Sequence, residues 1–329
     1  VVGTTPLDPA SLVGTGAGQW FNVSTALQAA GIRASNGIYQ PPNYQAAADG
    51  RVALVFFTGA FQPRSSFKVE GILDHLIGRG EIPYALGIFL NVGTDIEAPV
   101  QVIANIRAAI PLLQQTFPKI SNDPGMRTII GQSVQGSLAF EVAWMGTDVI
   151  GTAIGGSPYF ACFTCTGIMG LADGDRDGNI NDIPTDWVGA CPVKPLRWSA
   201  TIGSCDIFGT LHERLAAGCP ADTHGGAVDA SHCSASLLPI NQRLHAALTQ
   251  KGIPSQLFIS SVGGHSPGTW SLALADQLRF VFRPYTCGAN ARPVPALTGG
   301  GILLLAGTMA TLLIALNSYC GKRYRRGHS

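Results

Sequence analysis

Two kinds of apolar spacing alternate along this chain. Residues 51–57 read Arg-Val-Ala-Leu-Val-Phe-Phe and stop at Thr58-Gly59. A continuous apolar run that ends on a turn signal predicts a strand covered on both faces, as in a parallel sheet. Residues 69–78 carry apolar side chains at helical spacing, 84–92 form a second buried strand, and 100–117 form a long helical stretch that Pro111 is expected to kink or split. A short strand at 128–130 leads through Gly131-Gln132-Ser133-Val134-Gln135-Gly136 into a helix at 137–145. Strands at 149–154, 198–202 and 256–262 follow, with helices at 237–251 and 270–282. The first 35 residues, rich in Gly, Ala, Ser and Thr, show no clear period. The alternation predicts an α/β fold, a mostly parallel sheet with helices on both faces.

The pattern changes near the C-terminus. No charged residue occurs between Arg292 and Lys322, and residues 297–316 are apolar or small throughout. As a helix those 20 residues would reach about 30 Å, the thickness of a bilayer core. Lys322, Arg323, Arg325 and Arg326 follow, which places that end on the cytoplasmic side. One C-terminal transmembrane helix is therefore expected, with the bulk of the chain extracellular or lumenal. A start at Val1-Val2-Gly3 suits a cleaved secretory signal.

Seven of the eight cysteines (Cys162, Cys165, Cys191, Cys205, Cys219, Cys233 and Cys287) precede the span, where oxidising conditions allow disulfides of undetermined connectivity. Cys320 lies beside the basic tail. Asn22-Val23-Ser24 is an N-glycosylation sequon.

Charge narrows the function. The net charge is +1, so nothing in the balance points to nucleic acid. Only 12% of the 329 residues are charged, about half the usual share, as expected of a surface covered by glycan, membrane or a membrane-protein complex.

The candidate chemistry begins at Ser133. A serine on a sharp strand-to-helix turn holds its Oγ clear of the backbone, and the helix N-terminus offers N–H groups to a developing oxyanion. The same residues would also suit an ordinary helix N-cap. Downstream, Gly263-Gly264-His265 lies between the last strand and the last helix, where a histidine reaches the C-terminal edge of the sheet. An acid is expected after the strand at 198–202, and Asp206 is the first choice, with Glu213, Asp222 and Asp229 as alternatives.

These residues resemble the esterase family of α/β-hydrolases that includes enterobactin esterase, feruloyl esterases and the mycolyl-transferring antigen 85 proteins. The similar segments include Gly37-Ile38-Tyr39 with Pro41-Pro42-Asn43-Tyr44, Phe57-Thr58-Gly59, Gly80-Glu81-Ile82-Pro83 and Gly131-Gln132-Ser133. Gly156-Ser157, Asn241 to Leu248, and Gly263-Gly264-His265 with Trp270 complete them. The resemblance implies an α/β-hydrolase in which Ser133 is the nucleophile, His265 the general base and Asp206 the acid. It also implies an oxyanion hole from the backbone N–H groups of Ala60 and Val134, and an ester substrate. Gln135 departs from the glycine usual at that position.

The expected organisation is an N-terminal segment (1–36) and an esterase-like domain (37–287) with insertions at about 162–195 and 207–236. A linker (288–296), the span (297–316) and a basic tail (317–329) follow.

Asp173, Asp175, Asp177, Asn179 and Asn181 alternate as in the first nine positions of a calcium loop, with Gly178 at the sharp turn. Pro184 stands where the bidentate glutamate would be. A structural calcium is expected there, since three carboxylates so close repel each other without a cation. His212, His224, His232, Cys219 and Cys233 match no usual zinc spacing, and no organic cofactor is expected. Two functions compete: a membrane-anchored serine esterase or acyltransferase, and an inactive esterase-like accessory subunit of a membrane assembly. A calcium-dependent adhesion module is a third, weaker reading.

Overall fold

A computed structural model describes residues 18–34, 36–58, 68–91, 99–158, 160, 188–189, 192–204, 206, 237–260 and 265–283. The calcium loop, all eight cysteines, Ala60, Glu213, Asp222, Asp229 and the segment 297–316 lie outside the described residues. Among the described residues, no helix is long and apolar enough to cross a membrane.

The described residues contain eight strands: β1 (Gln19–Phe21), β2 (Ile38–Gln40), β3 (Ala53–Phe57), β4 (Ala85–Phe89), β5 (Arg127–Gln132), β6 (Thr152–Gly156), β7 (Arg197–Gly203) and β8 (Ser255–Ser260). They form one sheet in the order β1-β2-β4-β3-β5-β6-β7-β8. Pairing is parallel from β4 through β8 and antiparallel at β1–β2 and β2–β4. Chain order reverses around β3, and every parallel strand ends on the same edge. In open α/β sheets ligands gather at that edge.

Among the described residues six α-helices cover the sheet: α1 (Thr25–Ala29), α2 (Val69–Gly78), α3 (Pro99–Thr116), α4 (Val134–Met145), α5 (Leu237–Gln250) and α6 (Pro267–Phe282). Leu54 and Phe56 of β3 point into a core shared with α1, α3, α4 and α5, whereas Val55 and Phe57 meet α2 and α6 on the other face. That alternation is the two-residue period of a strand packed on both sides. Val69, Ile72, Leu73 and Leu76 form the buried stripe of α2 at the spacing of a one-faced helix.

Two features differ from the sequence expectation. α3 runs unbroken through Pro111. Its buried face is carried by Val102, Ile106, Ala109, Ile110 and Leu113, while Pro111 and Arg107 four residues before it are both exposed. The carbonyl that loses its partner to proline thus lies on the solvent side. The second feature is a pair of N-terminal elements without a sequence period. Three-residue β1 pairs with β2, and five-residue α1 buries only Leu27. Ser24 caps α1 by accepting the Leu27 N–H at 3.3 Å, and the neighbouring Asn22 is exposed.

Every residue of α4 from Gln135 to Trp144 is buried, so the helix has no polar face. Phe140 meets Trp198 of β7 at 5.1 Å, nearly edge to face. Glu141 is the one carboxylate in this helix, and burial pushes its pKa up to about 8 from an ordinary 4.5. The folded chain therefore holds this proton more tightly than the unfolded chain does. Below pH 4.5 the group is neutral in both states; as pH rises towards 8 the folded state alone resists ionisation, and stability falls. Glu141→Gln should match the wild type at pH 4 and exceed it by on the order of 2–4 kcal/mol at pH 8. Urea unfolding across that range checks this, and a difference independent of pH would refute the burial argument.

Candidate active site

Ser133 sits between the last residue of β5 and the first of α4, with φ 56° and ψ −129°. Non-glycine residues rarely occupy this region, and holding one there costs about 1–3 kcal/mol. The surroundings enforce it. A Cβ at Gly131 would lie 1.8 Å from the Gln135 carbonyl oxygen, and one at Gly136 would lie 3.1 Å from the Cα of Pro158. Strand and helix approach too closely for side chains at those points. Gln135 is compatible with this turn because it already belongs to the helix, and Gly136 occupies the tight contact instead.

The backbone of Ser133 is tied to the next strand, its N–H donating to the Gly156 carbonyl at 2.7 Å. The same bond recurs along the edge. Thr58 donates to Ile130 at 2.9 Å, Ser157 to Thr201 at 2.6 Å and Ser204 to Ser260 at 2.8 Å. The parallel ladder thus continues one residue past each strand end and leaves a row of hydroxyl residues along the edge. Val134 opens α4, and the first N–H groups of a helix have no partner within it. Ala60, the other expected oxyanion donor, lies outside the described residues.

Asp206 lies three residues beyond β7 and is fully buried. Its N–H donates to the Gly203 carbonyl and its own carbonyl accepts the Leu237 N–H, both at 3.1 Å, so the residue is pinned between β7 and the start of α5. Oδ1 of Asp206 is 2.8 Å from Nδ1 of His265. Oδ2 is buried without a hydrogen-bond partner among the described residues. His265 precedes α6, whose N-cap is Ser266, and its side chain is 12% exposed. The ring is therefore reachable while its Nδ1 side is closed by the carboxylate. An ionised carboxylate can only accept, so opposite one Nδ1 is the donor and Nε2 is the ring nitrogen that can act as a base.

Two residues to which sequence reasoning gave no role join the cluster. Trp270 meets His265 with perpendicular rings at 5.1 Å, and its indole N–H donates to Ser157 Oγ at 2.6 Å. Ser157, with φ 45°, is fully buried. The signal available in the sequence was Gly156-Ser157 immediately after a strand, in the same position as the Gln132-Ser133 pair. The arrangement unites a strained, half-buried turn, a histidine hydrogen-bonded through Nδ1 and a buried carboxylate on one sheet edge. Such a set can activate a hydroxyl nucleophile.

If the backbone at 133 is strained, glycine should relieve it and alanine should not. Ser133→Gly should be more stable than Ser133→Ala by about 1 kcal/mol, the strain relieved less the entropy of the freer residue. Denaturant unfolding of the two variants measures this; equal stabilities would mean no strain is stored at the turn.

No family model matches the sequence, and no curated protein matches it significantly. Solved structures do resemble it. A ferulic acid esterase is similar with a TM-score of 0.53 at 17% identity, over 75% of this chain and 90% of that one. The enterobactin esterase of Shigella flexneri, solved in the presence of enterobactin, is similar with a TM-score of 0.51 at 18% identity. That match covers 75% of this chain but only 54% of the other, so this chain spans about half the length of that esterase. A mutant feruloyl esterase module from Clostridium thermocellum, complexed with sinapinate, has a TM-score of 0.52 at 15% identity over 87% of this chain and 95% of that one. At these identities the likeness establishes the fold alone, a mostly parallel α/β sheet shared with those structures.

Proposed function

We propose that the chain is a serine hydrolase of carboxylic esters, held at a membrane by residues 297–316 with its catalytic domain on the extracellular or lumenal side. The observation that carries this reading is the hydrogen bond from His265 to the buried Asp206, on the same sheet edge as the strained Ser133 turn. An ordinary N-cap serine needs neither a left-handed backbone nor a histidine with a fixed tautomer. Ester chemistry is favoured because the similar structures are named as esterases.

In this mechanism Nε2 of His265 takes the Ser133 proton as Oγ attacks the ester carbonyl. Asp206 keeps the imidazole oriented and stabilises the imidazolium that forms. The N–H groups of Val134 and Ala60 hold the tetrahedral oxyanion, and one such donor lowers the barrier by about 3 kcal/mol. Collapse expels the alcohol, which takes the proton from His265. Water, deprotonated by the same ring, or a second alcohol then releases the acyl group and restores Ser133.

A fluorophosphonate probe tests this directly. The full chain should be labelled at Ser133, with labelling lost in Ser133→Ala and reduced by about 10⁴-fold in Asp206→Asn, where the tautomer is no longer fixed. The labelled species should remain in the membrane fraction after carbonate washing and leave it in detergent. A folded chain that takes no label would overturn the hydrolase reading in favour of an inactive accessory subunit.

Calcium in the loop from Asp173 to Asn181 would act structurally and take no part in the chemistry. Chelation should then lower the melting temperature by several degrees, about 1 kcal/mol or more of stability, without abolishing labelling at low temperature. An unchanged melting curve would remove calcium from the account.

A further inference from the structure

The indole of Trp270 lies between the two halves of the candidate site. On one side its ring is perpendicular to His265 at 5.1 Å. On the other it lies flush against the end of β6, where a Cβ on Gly156 would come within 2.8 Å of the indole Cγ. The carbonyl of that same Gly156 accepts the N–H of Ser133. One rigid side chain therefore touches the base and also the residue that anchors the nucleophile's backbone.

The indole is also prevented from turning. Its N–H donates to Ser157 Oγ at 2.6 Å inside the protein, and Trp270 is only 8% exposed. A buried indole N–H without a partner is costly, so this bond selects one ring orientation. Ser157 is itself held in place, with φ 45° and its N–H bonded to Thr201 at 2.6 Å. A residue kept in that conformation persists only where its surroundings over-determine it. Trp270 lies in the first turn of α6, where its backbone N–H donates to the Ser266 carbonyl at 3.2 Å, so main chain and ring are fixed together.

We infer that Trp270, locked by Ser157, is a positioning residue that sets the plane of the His265 imidazole and its separation from Ser133. It touches no reacting atom. Asp206 fixes one nitrogen of the imidazole, and the perpendicular indole bounds the plane of the ring. A misplacement of about 1 Å at a reacting pair costs roughly 10²-fold in rate.

This inference rests on the serine-hydrolase reading, so its test has one arm that uses labelling and one that does not. In the first, fluorophosphonate labelling of the full chain is followed at several probe concentrations for the wild type, Ser157→Ala, Trp270→Phe and Trp270→Leu. The maximal labelling rate should fall roughly 10-fold in Ser157→Ala and 10²-fold in Trp270→Leu, with the concentration for half-maximal rate little changed. Trp270→Phe, which keeps a ring but loses the N–H, should recover part of the loss. In the second arm, the downfield NMR signal of the His265 Nδ1 proton should exchange with water faster in Ser157→Ala and Trp270→Leu than in the wild type. Unchanged labelling rates and unchanged exchange in variants with wild-type circular dichroism would overturn the inference. So would a loss confined to the half-maximal concentration. Should Trp270→Leu fail to fold, Ser157→Ala and Trp270→Phe decide the matter. A wild type that takes no label counts against the hydrolase reading alone, and proton exchange then decides the role of Trp270.

Discussion

A side chain at position 131 would have to share space with the Gln135 carbonyl, since a Cβ there would fall 1.8 Å from that oxygen. The rest of the site depends on this close approach of β5 and α4. It forces the chain to turn within one residue, and that residue is Ser133 at φ 56°. The residue joins the two elements at the sheet edge, in a backbone conformation that non-glycine residues rarely adopt. Gly136 completes the contact from the helix side, against Pro158 and the carbonyls of Gly131 and Gly156.

The strained turn is stable because the sheet holds it. β5 lies between β3 and β6, with parallel ladders on both sides, and its residues are buried throughout. α4 is buried around nearly its whole circumference. A cost of about 1–3 kcal/mol at one residue is small beside the apolar area that such a helix removes from water. Glu141 shows the opposite side of the same environment. A helix with no solvent face raises the pKa of any carboxylate placed on it, and here the value reaches about 8.

Sequence pattern was most legible where one rule acts alone. The stripe Val69, Ile72, Leu73 and Leu76 defined α2, and continuous apolar runs located β3 and β4 to within a few residues. Asp206 was legible by position, as the first acid after a strand, and the structure brings it to His265. Ser157 and Trp270 had no such rule, because their contact spans 113 residues of sequence. Pro111 misled for a related reason. Proline disfavours a helix interior in isolation, but the strong buried face of α3 and an exposed partner carbonyl outweigh that preference. β1 and α1 are too short to display a period, and only pairing with β2 and the burial of Leu27 give them a place.

The edge row explains why the site gathers at β5 to β8. Thr58, Ser133, Ser157 and Ser204 each follow a strand end and each donate an N–H to the neighbouring strand. A parallel ladder extended this way transmits a fixed spacing from strand to strand, so residues remote in sequence meet in register. Two members of the row, Ser133 and Ser157, also have positive φ, on adjacent strands. Ser133 stays half-buried at the sheet edge, while Ser157 is fully buried and its hydroxyl accepts the indole N–H of Trp270. The same backbone device is thus used twice, once at a half-buried residue and once at a fully buried one. The strand spacing and one aromatic ring thus link the Ser133 turn to His265 through Gly156, Ser157 and Trp270.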